Sequence, residues 1–218
     1  MPLSTVLGAQ SLIKPGVCTT ATRPASPYEG QMIYDTDVAT TLVWDGSAWK
    51  GTSGLTFITG ASFTTATSVS LPTGTFSATY KNYKVIFDYV GSNTTDTQTL
   101  RLRASGTDVT ASGYYIGLGI DSYSGGGYNF GTNAGTNWTM NLISTLAMQQ
   151  EWLIGRPQET ANTSITGTGM VNVGGVGNSA ASYGGFYAAT TSVDSLSLII
   201  GGGATVTGFY RVYGLADS

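Results

Sequence analysis

Between Pro27 and Lys50 two apolar runs, Met32-Ile33-Tyr34 and Leu42-Val43-Trp44, flank the polar segment Asp35-Thr36-Asp37-Val38-Ala39-Thr40. That order predicts a β-hairpin with a connection of several residues. Asp45-Gly46 follows between Trp44 and Trp49. This pair is preferred where both central turn residues take positive φ, so a third strand is predicted. A three-stranded meander of this size buries too little apolar surface to stand alone in water. Tyr34, Trp44 and Trp49 therefore need a surface to pack on. Identical copies of the chain, or another protein, are the expected supply.

The flanking residues carry a resemblance. Arg23-Pro24-Ala25-Ser26-Pro27, then Glu29-Gly30-Gln31-Met32-Ile33-Tyr34-Asp35-Thr36-Asp37, then Leu42-Val43-Trp44-Asp45-Gly46-Ser47-Ala48-Trp49 resemble a module of bacteriophage virion proteins, chiefly tail fibres and related appendages. These stretches make up roughly a tenth of the chain. The resemblance implies a structural protein of the virion whose module serves assembly, and such modules commonly form threefold bundles. A homotrimer is the favoured oligomer. Two other readings stay open: a head fibre or capsid decoration protein whose arm grips the shell, and, in a different class, a small glycan-processing enzyme.

Ahead of the module, residues 1–26 carry Pro2, Pro15 and Pro24 with Gly8 and Gly16, a composition that resists both helix and central strand. An extended arm is expected, docked on other virion proteins through Leu3, Val6, Leu7, Leu12, Ile13 and Val17. No basic segment precedes an apolar core there, and no apolar run approaches the length of a membrane span, so a chain made in the cytoplasm and not inserted in membrane is expected. The module is taken as 27–50 and a short joint as 51–54.

The main domain is taken as 55–218. The whole chain has 31 Gly, 13 Tyr and only 10% charged residues, a composition of short strands joined by turns, not of helices with charged faces. Asn82 to Val90 alternates most clearly, with Tyr83, Val85, Phe87 and Tyr89 on one face. Thr97 to Ser105 places Leu100 and Leu102 inward, and Arg101 and Arg103 outward. Further strands are expected at 55–58, 63–71, 114–120, 163–173, 183–190, 195–200 and 204–215. Over 138–154 a helical face of Leu142, Leu146 and Leu153 competes with two strands, Thr139–Ser144 and Met148–Gly155, and the strands are preferred. The predicted class is all-β, an antiparallel sandwich of jelly-roll type. Resemblance to phage appendage sandwiches extends here through Leu100 to Asp108 and Arg211 to Leu215.

Ser122 to Asn137 is read as a long glycine-rich loop. Its aromatics Tyr123, Tyr128 and Phe130 suit either a lid on the sandwich or a surface for host glycan, since such rings pair a flat apolar face with a polar handle.

Candidate chemistry is sparse. There is no His, one Cys and a net charge of −3, which removes the Ser-His relay, the usual zinc sets and a positive field for nucleic acid. Cys18 is expected to be a small packed residue. Asp35-Thr36-Asp37 lacks the rest of a calcium loop and reads as an Asx-type turn. Glu29, Glu151 and Glu159 are the only glutamates that a carboxylate pair for glycan hydrolysis could draw on. A non-enzymatic chain with no cofactor and no metal is expected.

Overall fold

The computed structural model describes residues 16–38, 40–51, 54–121, 126–173 and 177–215. The chain forms two compact units, Met1–Gly54 and Leu55–Ser218.

In the first unit four strands, β1 (Gly16–Cys18), β2 (Met32–Asp35), β3 (Thr40–Trp44) and β4 (Trp49–Gly51), form one sheet in sequence order. β2, β3 and β4 are the predicted meander. β1 was not predicted. It lies parallel to β2 with Val17 beside Tyr34, so the expected arm is sheet-bound from Gly16 onward and the module has four strands, not three. The arm's remainder, residues 1–15, lies outside the described residues, as do Thr52 and Ser53 of the joint. The β3–β4 turn also differs from expectation: of its two central residues only Gly46 takes positive φ, at 94°. The Asp45 side chain supplies the rest of the turn by accepting from the amides of Ser47 (2.8 Å) and Ala48 (2.7 Å). A carboxylate cap thus replaces the second left-handed residue.

The second unit is all-β: β5 (Leu55–Ala66), β6 (Ser68–Ser70), β7 (Asn82–Gly91), β8 (Thr97–Ala104), β9 (Thr107–Asp108), β10 (Tyr114–Asp121), β11 (Gly127–Gly135), β12 (Trp138–Leu142), β13 (Met148–Gly155), β14 (Thr163–Val173), β15 (Gly177–Tyr187), β16 (Ser195–Ile200) and β17 (Val206–Leu215). Every pairing among them is antiparallel. One layer runs β5-β17-β7-β13-β14-β15-β10-β11 and the other β6-β16-β8-β12, with β9 on the end of β8. A single bridge, Leu142 to Asn172, joins them. The order is nested: β5 pairs with β17, β6 with β16, β7 with β13 and β8 with β12. The hairpins β10–β11 and β14–β15 extend the first layer.

The core between the layers follows the period-two pattern of the strands. Tyr83, Val85, Phe87 and Tyr89 of β7 face Leu100 and Leu102 of β8 and Leu196 and Leu198 of β16 within one buried cluster. Aromatic rings dominate it: Phe87 lies 5.7 Å from both Trp152 and Tyr210, and Tyr114 lies 5.2 Å from Trp138. Three of the buried tyrosines anchor this packing through their hydroxyls, as burial favours, while the Trp152 indole N–H and the Tyr183 hydroxyl are buried without a hydrogen-bond partner. The Tyr83 hydroxyl donates to the Ser77 carbonyl at 2.5 Å, that of Tyr114 to the Val109 carbonyl at 2.9 Å, and that of Tyr89 to Gln98. Glycine makes room for the largest rings. A methyl group at Gly167 would sit 2.2 Å from the Glu151 carbonyl oxygen, and one at Gly185 would sit 2.2 Å from that of Tyr115. Trp152, opposite Gly167 in register, also occupies the space a side chain there would take, its ring 2.7 Å from the added atom.

Candidate functional site

The three side chains expected to form one assembly surface do not share a face. In the first unit the strand register puts Ile33, Asp35, Leu42, Trp44 and Trp49 on one side of the sheet and Val17, Met32, Tyr34 and Val43 on the other. Trp44 and Trp49 are a cross-strand pair, edge to face with centroids 5.6 Å apart. They pack on each other beside the buried Ile33 and Leu42. Tyr34 belongs to the opposite, exposed side, next to Val17, with Met32 one position along β2 on that same side. Val17 is 63% exposed and Met32 45%. A depression of about 550 Å³ bordered by Val17, Pro24, Tyr28 and Met32 adjoins them. The sequence places Val17 in a docking arm and Met32 in an apolar strand run, with nothing to show that the two meet. Alternation along β2 was the available signal for Met32, but only the unforeseen pairing with β1 brings Val17 beside Tyr34.

The buried side is locked by a carboxylate. Asp35 has no exposed surface, and it accepts from Arg23 Nε at 2.6 Å, the Thr20 hydroxyl at 3.1 Å and the Asp37 amide at 2.9 Å. The last of these is the expected Asx turn. The first two tie the segment after β1 to the β2–β3 turn, and the Thr20 amide donates to Asp37 at 2.9 Å. This accounts physically for Arg23 and the Asp35-Thr36-Asp37 run. Burial on its own would raise the Asp35 carboxyl, but the hydrogen bonds from Arg23, Asp37 and Thr20 hold it below its ordinary value. Amide donors at Ala48 and Ser47, with the Ser47 hydroxyl, push Asp45 down to about 2.

These directions fix a pH dependence. A carboxylate whose folded pKa is depressed stabilises the fold above its ordinary pKa, and that contribution is lost as pH falls through the folded value. The first unit is expected to hold its structure at pH 5 and above and to loosen progressively between about pH 4 and 2. Tryptophan fluorescence of Trp44 and Trp49, with Trp138 and Trp152 replaced by Phe, reads this directly. An Asp35→Asn chain should show a smaller change across that window, and an identical acid transition in the two proteins would contradict the assignment.

In the second unit, the segment predicted as a loop is largely strand. Gly127–Gly135 forms β11 and pairs with β10 from Tyr114 to Asp121, Tyr128 opposite Ile120 and Phe130 opposite Leu118. Tyr123 lies outside the described residues. Phe130 is 48% exposed and borders a cleft of about 180 Å³ with Thr97, Leu118, Thr132 and Thr139. It stands at the open margin of the sandwich because β11 is bonded on one side only. Arg103 is bound to Asp108 at 3.1 Å and to the carbonyls of Leu71 and Gly106. Arg101 donates to the Thr136 carbonyl at 3.3 Å. Glu151 pairs with Lys84 at 2.7 Å. Among the described residues no group of three or more His, Cys, Asp or Glu side chains converges as a metal site would require, and no helix is long and apolar enough to cross a membrane.

No family model matches the chain, and no curated protein matches it.

Proposed function

We propose that this chain is a structural protein of a phage virion, a tail fibre or related appendage, in which the first unit assembles copies of the chain and the sandwich is carried outward. One observation carries the reading. Among the described residues of the first unit only Ile33 and Leu42 are buried apolar side chains, while Val17, Met32 and Tyr34 lie side by side and exposed. An apolar stripe on so small a unit marks a contact surface. A second copy satisfies it through closed symmetry, and the resemblance to appendage modules favours a homotrimer. The nested strand order of the second unit supports reading its sandwich as a jelly roll, an architecture suited to display because its loops and outer faces vary without disturbing the core. The chain does no chemistry in this account and carries no cofactor. It acts by holding its place in the particle and contacting host-surface glycan.

Incorporation into particles tests the reading. Phage produced with a chain lacking residues 1–26, which removes β1 with the arm, should carry none of it, while circular dichroism of the same chain shows an intact sandwich. Incorporation at normal copy number would overturn the docking role. Antibody labelling of intact particles at the capsid instead of the tail would replace the tail assignment with the head-fibre one.

A further inference from the structure

The outer face of the larger sheet carries a shelf that the core does not use. Strand register aligns three outward rows across it. The first sets Tyr115 beside Phe186; the second runs Gly117, Gly184, Thr166, Leu153, Lys84; the third runs Gly119, Ser182, Thr168, Glu151, Ile86. Tyr115 and Phe186 stack nearly parallel, centroids 4.7 Å apart and planes 12° from each other, and Phe186 is 39% exposed. Beside this pair the floor is bare. A methyl group added at Gly184 would meet no atom within 4 Å, and one at Gly117 only the Gly184 carbonyl at 3.9 Å. Beyond the floor lies a depression of about 430 Å³ bordered by Lys84, Glu151, Leu153, Thr166 and Thr168.

The geometry points to a neutral oligosaccharide as the occupant of this shelf. An exposed aromatic pair offers a flat apolar face to the C–H side of a sugar ring. The glycine floor lets a ring lie close to the backbone, and the threonine and serine hydroxyls line its edge. Lys84 and Glu151, 2.7 Å apart, put a charged donor and a charged acceptor side by side, matched to adjacent sugar hydroxyls, while leaving no net charge to attract an ionic ligand. At about 4.8 Å between strands, the four intervals from β10 to β7 give a shelf roughly 19 Å wide, long enough for several sugar units. Leu153 lines the depression beside the Lys84–Glu151 pair, so a sugar there meets an apolar surface and charged hydrogen-bonding groups together. The inference rests on the proposed outward display of the sandwich and names the ligand class for it.

Saturation-transfer NMR on the intact chain with maltohexaose, cellohexaose and N-acetylchitohexaose is the test. Transfer to at least one of the three at millimolar sugar is expected. Gly184→Val, whose Cβ enters space with no atom within 4 Å, and Phe186→Ala should each weaken binding at least tenfold with an unchanged melting temperature. Absence of transfer with all three sugars, or equal binding by both variants, would overturn the site. So would a change in native mass in the two variants without a change in sugar binding, since the shelf would then be a contact between copies. Failure of the site with normal particle incorporation leaves the assembly role standing, whereas failed assembly with retained sugar binding removes only that role.

Discussion

Phe87→Ala is expected to cost the sandwich about 3–5 kcal/mol, the range for emptying a buried aromatic site. Phe87 has no exposed surface and its ring lies within 6.3 Å of those of Phe63, Trp152 and Tyr210, so three strands lose a shared contact at once. Against a total of roughly 5–15 kcal/mol for a typical domain, that is a large fraction. Phe130→Ala is the control. Its side chain is half exposed at the sheet margin, and its loss should stay within about 0.5 kcal/mol. Urea titration of the intact chain, followed by the signal of the second unit, separates the two. Comparable losses would mean that β11 closes the core as a lid, and the structural assignment of Phe130 would fail.

Charging the exposed stripe of the first unit should break the assembly. Met32→Asp with Tyr34→Asp places two carboxylates where copies are expected to meet, on positions that contribute little to the unit's own core. Removing two anchor side chains at about 2 kcal/mol each weakens association about a thousandfold, before repulsion between the new charges is counted. The double variant should sediment as a single chain at concentrations where the parent is fully associated, with its Trp44–Trp49 fluorescence unchanged. Trp44→Ala acts differently. It removes one ring of a pair that packs within the unit, so it should loosen the unit first and dissociate it only in consequence.

Which parts of this architecture were legible in the sequence follows from what period-two alternation encodes. The inward face of β7 was plain because Tyr83, Val85, Phe87 and Tyr89 alternate without interruption, and all four are buried. Between 138 and 154 the apparent helical face misled in its parts. Leu146 and Leu153 are exposed, while Met148, Gln150, Trp152 and Ile154 are buried at every second position, the period of a strand and not of a helix. β11 was missed because glycine content was read as loop. An edge strand bonded on one side tolerates glycine, since it has little core to fill.

Alternation does not say which strands become neighbours. Neither the nested order of the sandwich nor the pairing of β1 with β2 could be read from it, and the second omission scattered the assembly surface. With β1 in place, Val17 joins Met32 and Tyr34, and Trp44 and Trp49 lie together on the opposite side of the sheet. The contact from Arg23 to Asp35 was illegible for the same reason, because it depends on the turn that follows β1.

Sedimentation equilibrium of the intact chain at micromolar concentration and neutral pH tests most directly whether the first unit is completed by other copies. A single species at three times the 22.6 kDa chain mass is the predicted result. A monodisperse species at 22.6 kDa, with the first unit folded, would contradict it.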